Sequence, residues 1–286
     1  MCINVYVKSA HPGRTFKMNP LKEEKLGFSI SNRFNITMDA FVENGINYLE
    51  VRLLHGNDKE LMQSFISEAL REKQRLGFKI RTLHLPQLAD HDLSSLDEDV
   101  RLKAIEKQKA LVEMGMCLEP EVLVLHPDAG KTEEENWHLR HKALKKSLKE
   151  FAPWCKEKGL KIALENLTQI SAFQKSEFLL DVINSVDSDN IGICFDVNHL
   201  FLESHKDFIK NAGKHIITMH ISDYDGINEK HYIPGNGVIN WKELLNLLDE
   251  INYDGTLVFE CGGVIGTEDF PQTVVNLKKQ WDALHM

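Results

Sequence analysis

From Lys25 onward the chain repeats one pattern eight times: a short apolar run, then a longer amphipathic segment. The runs are Leu26–Ser31, Tyr48–Leu53, Phe78–His84, Glu121–His126, Lys161–Glu165, Ile191–Phe195, His215–His220 and Thr256–Glu260. Most are near-continuous in Val, Ile and Leu, as expected of parallel strands buried on both faces. The helical segments are Thr37–Asn44, Lys59–Leu76, Asp97–Met116, Thr132–Lys158, Ser176–Val186, Lys206–Ala212, Trp241–Ile251 and Phe270–Leu284. Gly45, Gly77 and Gly159 act as stops and Ser176 as an N-cap, and Pro153 is expected to bend or interrupt the fourth helix. Eight strand–helix units in about 260 residues fit one closed (β/α)8 barrel, an α/β fold, as a single domain over residues 1–286. A doubly wound open sheet is the competing architecture, but no glycine-rich dinucleotide fingerprint follows the first strand. Residues 1–24 form an extension that the repeat does not cover; Val5 and Val7 alternate with polar neighbours, which allows a short strand or a cap on the barrel floor.

In such a barrel the C-terminal ends of the strands share one mouth, where chemistry takes place. The third strand ends at His84 and the fourth at His126, while the fifth brings Glu165. Asp196 and His199 follow from the sixth, His220 from the seventh and Glu260 from the eighth, with Glu229, Lys230 and His231 in the loop after strand seven. Each has an ordinary structural use alone: a strand-end His bonds a loop carbonyl, a Glu pairs with Lys or Arg, and Asp196 caps the next helix. Six consecutive strands ending this way point elsewhere. Glu165, Asp196 and Glu260 are acids converging on one mouth, and buried like charges resist ionising unless a cation compensates them. Mixed carboxylate and imidazole donors suit a divalent metal.

Composition narrows the rest. A chain that is 42% hydrophobic and 27% charged is able to bury a real core. No apolar run approaches a membrane span, and the N-terminus shows no charged-then-apolar signal pattern. Five scattered cysteines without a C-x-x-C pair point to a reducing, cytoplasmic setting. A net charge of −9 offers no basic footprint for nucleic acid.

Taken in order, Leu83-His-Leu-Pro, Leu125-His-Pro, Leu164-Glu-Asn, Phe195-Asp-Val-Asn-His, Met219-His-Ile-Ser-Asp, His231-Tyr-Ile-Pro-Gly-Asn-Gly and Phe259-Glu resemble the xylose isomerase-like TIM barrel superfamily. That superfamily includes sugar and sugar-phosphate isomerases and epimerases and the endonuclease IV group, and the similarity runs from about Leu26 to the C-terminus. Resemblance to the ketose 3-epimerase branch implies one divalent ion (Mn²⁺, Co²⁺, Zn²⁺ or Mg²⁺) on Glu165, Asp196, His220 and Glu260. It also implies Glu165 and Glu260 as acid and base around an enediolate, with His199 orienting a substrate oxygen. By their own chemistry Lys230 and His231 are candidates to bind a substrate phosphate or hydroxyl, His231 being equally a candidate ligand of a second metal. Resemblance to endonuclease IV implies up to three zinc ions, with His84, His126, His199, Glu229 and His231 as additional ligands.

Charge on the rim separates the two. The loop after strand three holds Asp90, Asp92, Asp97, Glu98 and Asp99 with no Lys or Arg before Arg101. After strand four, Glu133, Glu134 and Glu135 follow Lys131, and after strand seven Asp223, Asp225 and Glu229 face Lys230. Such a rim repels a polyanion. The expectation is a small polyhydroxylated substrate, a sugar or sugar phosphate, rather than abasic DNA; a homo-oligomer is compatible with it. An endonuclease IV-like phosphoesterase and a non-catalytic metabolite-binding barrel are the alternatives, and a lyase using the same chemistry stays open. Pro234-Gly-Asn-Gly reads equally as a phosphate-binding turn or a plain one, and Glu50 and Arg52 as a buried pair near the mouth.

Overall fold

The computed structural model describes residues 25–31, 38–53, 58–129, 133–168, 170–262, 264 and 269–285. The extension at 1–24 and the start of the fourth helical segment at Thr132 lie outside them. Eight parallel strands close into a barrel in chain order. They are β1 (Lys25–Ser31), β2 (Tyr48–Arg52), β3 (Lys79–His84), β4 (Val122–Leu125), β5 (Lys161–Glu165), β6 (Ile191–Asp196), β7 (Ile216–Ile221) and β8 (Thr256–Phe259). Between and after them run α1 (Asp39–Glu43), α2 (Lys59–Leu76), α3 (Glu98–Gly115), α4 (Trp137–Glu157), α5 (Ser176–Ser185), α6 (His205–Ala212), α7 (Trp241–Glu250) and α8 (Phe270–Ala283). β1 pairs with β8, so no sheet edge is left open.

Alternation along each strand sorts the core into two layers. Leu123 and Leu125 of β4 point outward into the large cluster shared with the helices, whereas Val122 and Val124 join Ala163 and Cys194 in a small separate cluster. Gly192 is required where β6 meets β7: a Cβ there would lie 2.7 Å from the His215 carbonyl oxygen. Two local expectations are corrected. Pro153 does not interrupt α4, because it sits at an exposed position where water can serve the carbonyl its missing N–H leaves free. Ser176 is not the cap of α5, since Lys175 holds that position. Ser176 instead donates through Oγ (2.6 Å) and its N–H (2.8 Å) to the Glu203 carboxylate, which caps the helix from the loop after β6.

Candidate metal centre

β5 ends at Glu165, β6 at Asp196, His220 lies one residue inside the end of β7, and Glu260 follows directly on β8. The four strand ends bring one ligand atom from each of these residues to within 4.8 Å of the others. They are largely withdrawn from water, with exposures of 1%, 0%, 0% and 8% in that order. The local sequence explains the aim of two of them. Asn166, next after β5, donates through Nδ2 to the Asp196 carbonyl (2.8 Å) and accepts from the Asp196 N–H (2.8 Å), locking the two strand ends together. Its own carbonyl accepts from His199 Nδ1 at 2.8 Å, which turns Nε2 of that ring toward Asp196 Oδ2 (3.5 Å) and Glu229 Oε1 (3.4 Å).

The donors fit a divalent cation. Asp196 Oδ1 accepts from the Asn198 N–H at 2.7 Å, but Oδ2 has no donor. Glu165 Oε2 also lacks one: His126 Nε2 is 2.9 Å away but out of hydrogen-bonding alignment. A buried, unsatisfied polar atom is unfavourable by about 1–3 kcal/mol, and more when charged. A divalent cation held by these residues would remove the penalty. A second set adjoins the first, with His84 Nε2 and His126 Nε2 2.9 Å apart and both facing Glu165 Oε2. A third, formed by His199, Glu229 and His231, lies toward the cavity, with His231 Nε2 at 2.7 Å from Glu229 Oε1. His231 has a left-handed backbone (φ 52°), an unusual state for a residue with a side chain, and its Nδ1 donates to the Glu260 carbonyl at 3.0 Å. All nine strand-end and loop positions singled out as ligands thus meet in three adjacent groups.

Protons hold these charges together in the absence of metal. Burial works against a charged His220, yet the acids Glu50, Glu260 and Glu165 push its pKa well above the ordinary range. Burial likewise opposes ionisation of Glu165, and His126 and His220 overcome it, keeping the carboxyl well below its usual value. His199 is pushed up to about 10, burial being outweighed by Asp196, Glu229 and Glu165; His231 rises to about 9 beside Glu229 and Glu260, again against burial.

Above the acids opens a cavity of about 340 Å³, lined among others by Arg52, Gln87, His126, Thr168, Glu229 and His231. Lys230 is not among the described residues lining it, and its ammonium lies 3.5 Å from Asp225 Oδ2 on the rim. Glu50 and Arg52, expected from sequence as a buried pair, attract each other through their charges, but each makes its hydrogen bonds elsewhere. Arg52 bonds the Glu260 carboxylate, while Glu50 lies beneath the site against His84 and His220. Two charges inside one buried strand were the available signal for both. The Pro234-Gly-Asn-Gly segment is a plain turn. The Gly235 and Ile239 N–H groups donate to Asp223 and the Asn236 N–H to Ile233, so these amides are not left for a phosphate. A Cβ at Gly237 would collide with Asp223 and the Tyr224 carbonyl.

The rim is also less repulsive than its composition. Asp90 pairs with Lys107, Asp92 with Arg140, and Asp97 caps α3. No helix among the described residues is long and apolar enough to cross a membrane.

Comparison with known proteins agrees with this geometry. The chain is 31% identical over 252 residues to an uncharacterized protein of Methanocaldococcus jannaschii, covering 83% of this chain and 79% of that one. It is 25% identical over 260 residues to the D-psicose 3-epimerase of Ruminiclostridium cellulolyticum, covering 86% and 79%. Its fold is similar to the crystal structure of IolI protein with a bound zinc atom, with a TM-score of 0.77 and 21% identity over 91% of this chain and 97% of that one. The family model described as xylose isomerase-like TIM barrel matches residues 38–279, and the chain belongs to that family.

Proposed function

We propose that the protein is a divalent-metal-dependent isomerase or epimerase of a small polyhydroxylated ketone, a sugar or sugar phosphate. The observation that carries this is the convergence of three acids and one imidazole (Glu165, Asp196, Glu260 and His220) beneath a cavity sized for one small ligand. Similarity to a D-psicose 3-epimerase and to a zinc-bound barrel supports the same reading. Mixed oxygen and nitrogen donors suit Mn²⁺, Co²⁺ or Zn²⁺ better than Mg²⁺. Bound there, the ion supplies Lewis-acid polarisation of a carbonyl and its neighbouring hydroxyl.

The chain's own groups do the rest. Burial opposes ionisation of Glu165 and Glu260, while the imidazoles and Arg52 around them favour it. One of the two therefore removes the α-proton as a carboxylate and returns it to the adjacent carbon on the same face. Inversion needs the other, in protonated form, to deliver its own proton to the opposite face. Arg52 orients the Glu260 carboxylate from the cavity wall. His199, anchored on the Asn166 carbonyl, presents its other nitrogen to a substrate oxygen. Free thiols at Cys117, Cys155, Cys194 and Cys261 support a cytoplasmic setting. The test is deuterium exchange at the α-carbon of ketoses in heavy water with the metal-loaded protein. Exchange lost in Glu165→Gln and Glu260→Gln supports the assignment, and no exchange across a broad sugar panel contradicts it.

One observation favours a second reading. The His84–His126–Glu165 group shares Glu165 with the central four and the His199–Glu229–His231 group adjoins Asp196, so candidate donors for more than one ion lie together. Clustered divalent ions perform phosphoester hydrolysis. One equivalent of metal per chain favours the isomerase; three equivalents with cleavage of an abasic-site duplex favour the phosphoesterase.

A further inference from the structure

Beneath the ligand groups lies an acid to which the proposed reaction assigns no step. Glu50 is fully buried in β2, and is not among the described residues that line the cavity. Its neighbours in the barrel register are Ser29 on β1 and Thr82 on β3. Oε1 accepts from Ser29 Oγ at 2.8 Å and lies 3.1 Å from His84 Nδ1, while Oε2 is 3.1 Å from His220 Nε2. One carboxylate therefore touches two imidazoles, which stack on each other with ring centroids 5.2 Å apart.

We propose that Glu50 is a positioning residue that sets the tautomers of His84 and His220, so that both rings turn a nitrogen lone pair toward Glu165 when a cation is bound. The inference rests on the divalent-cation reading of the site above.

An ionised carboxylate only accepts hydrogen bonds, so the ring nitrogens facing Glu50 must carry hydrogen. On His84 that nitrogen is Nδ1, which leaves Nε2 for the side where His126 Nε2 lies at 2.9 Å and Glu165 Oε2 at 3.5 Å. On His220 the requirement is reversed. Nε2 donates to Glu50, leaving Nδ1 for the side of Glu165 Oε1 (3.2 Å) and Glu260 Oε2 (3.0 Å). A free imidazole adopts either tautomer, so without Glu50 the ring orientation and the available nitrogen are both unspecified. The same acid thereby couples two neighbouring ligand groups, one containing His84 and the other His220.

Glu50, His84 and His220 themselves place ligand atoms within 4.8 Å of one another, so direct ligation by Glu50 is the competing assignment. It would use the opposite nitrogens, His84 Nδ1 and His220 Nε2.

Zinc titration of the metal-free full-length protein distinguishes these possibilities, read by calorimetry and by ¹⁵N–¹H spectra of the histidine rings. Glu50→Gln keeps the shape but accepts through only one of its two polar atoms. Zinc affinity is expected to fall about 10–100-fold with the stoichiometry unchanged, and at least one of the two rings to lose its fixed tautomer. Ser29→Ala, which frees Glu50 without removing it, is expected to give a smaller fall in the same direction, and it carries the test alone if Glu50→Gln does not fold. Affinity within about twofold of wild type with unchanged ring spectra overturns the inference, as does loss of a whole equivalent of zinc, which would make Glu50 a ligand. If the wild-type protein takes up no zinc, the reading of the site itself falls and this inference with it; wild-type uptake with equal affinity in the variant overturns the inference alone.

Discussion

Two regions of this molecule are crowded with acids, and they handle them in opposite ways. On the rim, acids are balanced one at a time by a cation or a helix end: Asp90 by Lys107, Asp92 by Arg140, Asp97 by the first amides of α3. Inside the mouth, Glu165, Asp196 and Glu260 crowd one another and His220, and two of their oxygens have no donor. Rim acids already have their partners within the chain. The buried acids are incomplete without a shared positive centre, and that incompleteness points to function.

The contrast is most exposed to test at Glu165. Glu165→Gln keeps the shape but removes a proton carrier and a metal donor, so turnover and α-proton exchange should fall by about 10²–10⁴-fold. A fall below tenfold would place Glu165 with the rim acids in kind. Between the two regions stands Asp223, fully buried, which accepts from the N–H groups of Tyr224, Gly235 and Ile239 and from Trp241 Nε1 (2.7 Å). It pins both ends of the loop that carries Glu229 and His231. Asp223→Ala should destabilise the fold by about 3 kcal/mol or more, measured by urea unfolding, because several buried donors lose their acceptor together.

A third effect follows from the protons in the metal-free site. His220 is held charged, so a cation must expel its proton to bind, and affinity should rise with pH by up to about tenfold per unit. Calorimetry in buffers of different ionisation enthalpy checks this by counting the protons released. The stability of the metal-free protein should follow the opposite course. His199 has a folded pKa of about 10 against an ordinary 6.5, so its contribution is complete below pH 6.5 and is lost as pH rises through 10. The smallest effect belongs to the rim. Lys107→Met breaks a pair whose partners are 40% and 43% exposed, and should change stability by about 0–1 kcal/mol without altering metal uptake.

The barrel was legible in the chain because runs such as Val122–Leu125 are apolar throughout and buried on both faces, as a parallel strand of a barrel is. Most of the candidate positions were legible because they stand at the ends of those runs, and the fold brings strand ends to one mouth. What pairs with what was not. Glu50 meets His84 and His220 across separations of 34 and 170 residues, and Arg52 meets Glu260 across 208. A charge inside an apolar strand shows that a partner exists, but only barrel closure shows which. The partners of the rim acids were hidden for the same reason, since Arg140, which pairs with Asp92, comes from 48 residues further along, in α4. Strand ends also shifted slightly: His126 and Glu260 lie just beyond β4 and β8 rather than within them.

The most direct test is a crystal of the protein soaked in Mn²⁺, with diffraction recorded to reveal the anomalous signal of the ion. The account predicts a peak bonded to Glu165, Asp196, His220 and Glu260 at about 2.0–2.3 Å, the range for oxygen and nitrogen donors. Occupancy elsewhere with the gap between those four side chains left vacant would contradict it.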